Sequence, residues 1–150
     1  RYPGEAATPA ELVRLAEQYL VAARTLREIG RRGDPLSRAP YRLNAIHAIE
    51  LYLNAYLLGA GHPAKDLRRH HHDLGARTDL ALEAGLHLRK RTAAHLRSLS
   101  ETREYLVSRY DPAISSASQL NRLEATLNEI AKKVVLSLES EPTRAHRQSR

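Results

Sequence analysis

Two kinds of side chain in this sequence can act on a phosphate near neutral pH: imidazoles, which move a proton, and guanidinium groups, which hold negative charge. Arg42 and His47 form an Arg-x4-His string. A ribonuclease needs such a pair, with His as general acid or base and Arg on the scissile phosphate. On a helix that spacing sets the two side chains ~140° apart. They would meet one phosphate only if Arg42 sits at a frayed helix start or a second subunit completes the site. Arg89 and His95 give an Arg-x5-His alternative, ~120° apart, with the same weakness.

A second set stands on firmer ground. His47, Glu50 and Asn54 lie three and four residues apart, on one narrow stripe of a helix whose other residues are Leu, Ile, Tyr and Ala. Polar groups on such a helix need partners, which a buried network, a second subunit or a ligand can supply. Beside a cation Glu50 keeps its charge, and left unpaired it has its pKa raised by burial. His70, His71 and His72, with His62 nearby, invite a metal reading. Adjacent helical residues point ~100° apart, however, so three in a row cannot chelate one ion from regular helix, and no metal site is expected. Asp73 reads instead as a helix cap with His72 reaching back to the preceding long helix. Arg109 can hold a carboxylate or a phosphate, and Tyr110 would pack the end of the bundle. With no P-loop, no G-x-G-x-x-G and no His-Glu-x-x-His, no cofactor is expected.

The elements that must carry these residues are helical. The stretch from Leu43 to Leu58 is apolar around most of its circumference, so neighbours must cover it on several sides, as in the central helix of a bundle. Thr8, Pro9 and Glu11 make a helix start with a capping box, followed by an amphipathic run ending at Gly30. Pro40 suits the first turn of the central helix, which ends at Gly59 or Gly61. A less regular third helix is expected from Asp73 to Ala84, weakened at Gly75 by about 1 kcal/mol relative to Ala. A fourth is expected from Leu86 to Leu99, with an unfavourable basic first turn at Arg89, Lys90 and Arg91. A short segment around Tyr105 ends at the Tyr110-Asp111-Pro112 turn. In the last helix Leu120, Leu123, Leu127, Ile130 and Val134 repeat at threes and fours, a seam for the domain's own core or for a second copy.

Composition agrees with this all-α reading. The 150 residues are 42% hydrophobic, enough for one domain, yet Phe, Trp, Met and Cys are all absent. The core must therefore be Leu, Ile, Val and Ala, with Tyr as the only aromatic. Lack of cysteine excludes disulfides and a thiol nucleophile and suits a reducing compartment, so a cytoplasmic location is expected. No apolar run is long enough to span a membrane. The net charge of +7 allows a phosphate-rich partner.

Three landmarks occur in a telling order: Ala48, Glu50, Leu53, Asn54 and Ala55; then His72, Asp73 and Leu74; then Tyr105, Arg109 and Tyr110. Together they resemble the HEPN family, all-helical up-and-down bundles named for nucleotide binding. The resemblance covers residues 9–138, with an N-terminal extension at 1–8 and a basic flexible tail at 139–150. Asn54 stands where the family often has Lys, and Asp111 intervenes before Pro112. The resemblance implies a bundle of about five helices and two kinds of activity. Small members accompany a minimal nucleotidyltransferase, in toxin–antitoxin-like systems, or bind nucleotides. Others are metal-independent ribonucleases with an Arg-x(4–6)-His motif at a dimer interface. The binding positions expected here are Glu50, Asn54, His72, Asp73, Arg109 and Tyr110, in a homodimer or beside a nucleotidyltransferase. Arg42 and His47 would be the catalytic pair of a nuclease, and a purely structural dimerising bundle is the third reading.

Overall fold

The computed structural model describes the backbone of residues 2–148 and the side chains of residues 2–140. Its helices are α1 (Pro9–Ile29), α2 (Ala39–Gly59), α3 (Ala64–Arg68), α4 (Leu74–Glu83), α5 (Lys90–Glu101), α6 (Glu104–Tyr110) and α7 (Leu120–Gln148), with a 3-10 turn at Pro35–Arg38. Among the described residues there is no strand, and no helix is long and apolar enough to cross a membrane.

α1 starts on the expected capping box: Glu11 N–H donates to Thr8 Oγ1 at 3.1 Å, and Thr8 N–H donates to Glu11 Oε1 at 2.9 Å. It ends at Gly30, where the lack of a side chain matters for space. A Cβ there would lie 2.6 Å from Arg38 Cδ, and Arg38 Nη1 donates to the carbonyl of Arg27 at 2.9 Å. The end of α1 is thus tied to the start of α2.

α2 is the centre of the bundle. It packs against α1, α4, α6 and α7, and its Ala45, Ala48, Ile49, Leu53, Ala55 and Leu57 are completely buried. Each large apolar side chain removed from water there contributes about 1.5–3 kcal/mol. Tyr41 and Tyr52 are buried too, filling volume that Phe or Trp would otherwise take. The seam of α7 faces this core, with Leu123, Leu127, Ile130 and Val134 inaccessible to solvent. Its repeat therefore serves the chain's own interior.

Three boundaries differ from the sequence expectation. Among the described residues the helices number seven, because α3 forms as a separate turn ahead of the histidines. The fourth expected helix begins at Lys90 and not at Leu86. Gly85 takes φ +106°, Leu86 N–H returns to the carbonyl of Ala81, and Leu86 is buried from an extended stretch. A left-handed glycine followed by a back-bond ends a helix, so α4 and α5 cannot run together. α7 continues past Leu138, where the sequence reading ended the bundle, to Gln148; the rest of the expected tail, residues 149 and 150, and the side chains from 141 onward lie outside the described residues.

The basic first turn of α5 is compensated from another element. Glu129 of α7 accepts from Arg89 N–H at 2.9 Å and from Thr92 Oγ1 at 2.6 Å, so a carboxylate caps the helix start. On the opposite edge of α2, buried Glu104 of α6 accepts from Arg42 Nη1 at 3.2 Å and from Ser118 N–H, while Arg42 Nη1 also donates to the Ser118 carbonyl at 2.6 Å. Ser118 is thereby drawn to α6 and α2. Removing one member of a buried pair leaves the other charge uncompensated. Glu104→Ala should lower unfolding free energy by about 3–5 kcal/mol in urea titrations, and Thr8→Ala by about 1 kcal/mol; a smaller loss for Glu104→Ala than for Thr8→Ala would contradict this assignment.

Candidate functional site

The polar stripe of α2 meets the loop between α3 and α4. Glu50, buried within α2, receives His72 Nδ1 at 3.1 Å, Arg77 Nη2 at 3.5 Å and His47 Nδ1 at 3.6 Å. A carboxylate can only accept, so the His72 proton facing it sits on Nδ1, while His47 turns the same nitrogen toward it at a longer distance; neither Nε2 makes a hydrogen bond among the described residues. Burial pushes the Glu50 carboxyl up, but the His47 contact and the electrostatic pull of Arg77 and the two imidazoles outweigh it and hold the group below its ordinary value. Glu50 is therefore an anion at neutral pH.

Arg77 is the residue that sequence reasoning missed. Its guanidinium is almost wholly buried and is satisfied on three sides: Nε donates to Asn54 Oδ1 at 2.7 Å, Nη1 to the Asp73 carbonyl at 3.2 Å and Nη2 to the Leu67 carbonyl at 3.2 Å. Asn54, at the position where the resembled family often carries Lys, thus orients a cation supplied by α4. The only local hint was Arg77 standing four residues after the capping Asp73, on the face of α4 that turns to α2.

Asp73 caps α4, accepting from Ala76 N–H at 3.0 Å, and this backbone bond is the first cause holding its carboxyl below the ordinary range. Ser100 of α5 donates to Asp73 Oδ1 at 2.9 Å and accepts from Gly75 N–H at 2.7 Å. A Cβ on Gly75 would lie 3.2 Å from that carboxylate oxygen, so the glycine that weakens α4 is the residue that lets the cap close. The cap fixes where His72 can stand.

Around Glu50 a small cleft opens, of about 30 Å³, lined on its polar side by His47, Glu50, His72, Tyr105 and Arg109. That volume holds about one water molecule, so a larger ligand would lie across the mouth with only a single group inserted. The rims are paired rings: His72 lies 4.6 Å from Tyr105 at a tilt of 39°, and His47 meets Tyr19 edge-on at 4.5 Å. Arg109 stands exposed at the cleft with no carboxylate partner among the described residues. Its guanidinium lies 5.6 Å from the centre of the Tyr110 ring. Tyr110 is 71% exposed, which corrects the expectation that it packs the bundle's end. Asp111, which separates this pair from Pro112, accepts from Ala113 and Ser115 N–H and so turns the chain there.

The expected catalytic string does not assemble. Arg42 is engaged with Glu104 and Ser118, His47 with Glu50 and Tyr19, and no contact joins them. Among the described residues, no group of three or more His, Asp or Glu is placed to hold a metal ion, and this includes the histidine run.

In the second string, Arg89 offers its backbone to Glu129, whereas His95 is buried with Nδ1 2.7 Å from Thr126 Oγ1. Burial, then the charges of Arg122 and Arg42, push the His95 pKa down to about 4. The folded protein therefore resists protonation that the unfolded chain accepts near pH 6.5. The stability this neutral ring contributes is complete above pH 6.5 and is lost as pH falls from there to about 4. Urea unfolding at pH 7 and pH 4 should differ by roughly 3 kcal/mol on this account, and His95→Gln should remove that part of the slope; an unchanged slope in the variant would assign it elsewhere.

No family model matches the chain, and neither a curated protein nor a solved structure does, so the HEPN resemblance rests on the three motifs that carry it.

Proposed function

We propose that the chain is a nucleotide- or RNA-binding module whose ligand lies across the mouth of the His47–Glu50–His72 cleft. The observation that carries this reading is Arg109: an exposed guanidinium at the cleft with no carboxylate partner among the described residues, beside the paired His72 and Tyr105 rings. Guanidinium donors suit phosphate oxygens, and flat rings suit bases. The net charge of +7 favours the same class of ligand. In this reading the module works as a homodimer or as the accessory subunit of a minimal nucleotidyltransferase. Exposed Val21 and Leu136, which line a groove between α1 and α7, offer such a partner an apolar face.

One observation favours a second reading, a metal-independent ribonuclease. Both imidazoles turn Nδ1 to Glu50, an arrangement that orients a ring and leaves Nε2 to take or give a proton. The reactive pair would then be His47 and His72, with Arg109 on the phosphate, and Arg42 would serve the core alone.

Calorimetry with a short single-stranded RNA should give saturable binding that weakens with salt, and Arg109→Ala and His72→Ala should each lower affinity about tenfold. A flat trace at millimolar RNA would overturn the binding reading. Under the nuclease reading His47→Ala and His72→Ala should slow RNA cleavage by about 10²–10⁴-fold; cleavage at the parent rate in both variants would remove it.

A further inference from the structure

Near the starts of α5 and α7, the two helices leave an open groove of about 580 Å³ that shares no residue with the Glu50 cleft. Its polar lining is Arg91, His95, Ser98, Gln119, Asn121 and Arg122. No carboxylate lines it. Glu129, the acid that serves this end of the bundle, is already engaged by Thr92 Oγ1, Arg89 N–H and Lys133 Nζ.

Two of its lining residues each carry a buried nitrogen without a hydrogen-bond partner among the described residues: His95 Nε2 and Arg122 Nε. His95 is 6% exposed, and its other ring nitrogen is taken by Thr126. The Thr126 hydroxyl can donate to Nδ1, and the proton then sits on Nε2, which faces no acceptor. Arg122 Nε is always a donor, and its Nη2 is held by Thr92 Oγ1 at 3.2 Å. In that tautomer two buried donors have no acceptor among the described residues, and a groove with no carboxylate in its described lining suits an oxyanion. Asn121 adds a third donor, because Arg27 Nη2 holds its Oδ1 at 2.9 Å and leaves the amide nitrogen unused. Arg91 is exposed and makes no ion pair or hydrogen bond among the described residues.

We propose that this groove binds a phosphate group, with the guanidinium groups of Arg91 and Arg122 on its oxygens and the His95 imidazole beneath as an uncharged donor. Arginine forks match the spacing of phosphate oxygens, and two of them on a site free of acids supply charge as well as direction. The neutral state of the His95 ring at pH 7 fits this role, because burial and then the charges of Arg122 and Arg42 oppose its protonation. The groove is wide and shallow, so the phosphate is one carried on a larger molecule. It belongs either to the terminal monoester of a nucleotide or to a diester within a strand.

The test follows the His95 ring resonances by NMR while inorganic phosphate is added to the full chain, against sodium chloride at equal ionic strength. Phosphate should shift them saturably and chloride should not. Arg91→Ala, at an exposed position with no partner to lose, should weaken this binding about fivefold, and Arg122→Gln at least as much. Adenosine monophosphate and a dinucleoside monophosphate lacking a terminal phosphate then distinguish monoester from diester by which binds more tightly. The response should persist in Arg109→Ala, so failure of the cleft leaves this groove standing. A His95 response no larger than that to chloride, or unchanged phosphate affinity in both groove variants, would overturn the proposal.

Discussion

Burying the Glu50 carboxylate in the middle of the central helix is the constraint from which the candidate site follows. A buried anion in α2 is tolerated only with cations and donors gathered on it. They come from both directions along the chain: His47 from one turn earlier, His72 from the loop before α4, and Arg77 from α4 itself. Each must then be held in turn. Arg77 is fixed by Asn54 and two backbone carbonyls, and His72 is placed by the Asp73 cap, which leans on Ser100 of α5. One charge thereby ties α2, α4 and α5 into a single arrangement and leaves two imidazoles half-exposed at its edge.

The same device recurs, and the composition explains why. A core of Leu, Ile, Val and Ala without Phe, Trp or Met has few distinctive shapes, and such cores are tolerant of sliding and repacking. Polar pairs with directional bonds restrict those alternatives. Glu104 fixes α6 and the approach to α7 against Arg42 of α2, and Glu129 fixes α7 against the start of α5. Three carboxylates thus act as registration points between helices whose apolar faces would pack in several ways. The Arg42–Glu104 pair is one of these points, which is why Arg42 is absent from the cleft.

What could be read from the sequence was local. The Thr8–Glu11 box, the Asp73 cap, the apolar circumference of α2 and the seam of α7 each lie within a few residues, and all are present as expected. The stripe of His47, Glu50 and Asn54 was legible for the same reason. What failed to show depends on distant partners. Glu129 caps a helix some 40 positions earlier, and so the start of α5 looked electrostatically wrong. Arg77 has no local mark of a buried cation, because apart from the Asp73 carbonyl its acceptors come from α2 and from the end of α3. The Arg42–His47 string shows the same limit: spacing set the angle between the two, while Glu104, far along the chain, decided where the arginine went within one chain.

The net positive charge carries information only once the neutralised part is removed. Arg42 and Arg77 serve buried carboxylates, and Arg27, Arg31 and Arg97 pair with Glu124, Asp34 and Asp79. Exposed pairs of that kind contribute little to stability, but they do cancel local potential. Arg109 and Arg91 have no such partner, and each adjoins a histidine with an unused ring nitrogen, His72 in one case and His95 in the other. An evenly basic surface would attract polyanions without preference as to place. Here Arg109 and Arg91, two of several arginines without an ion pair among the described residues, each line a depression that offers further donors, and potential is focused where concavity and unpaired cations meet. Charge with concavity and fixed donors can discriminate among anions, whereas exposed charge elsewhere raises mainly the rate of encounter.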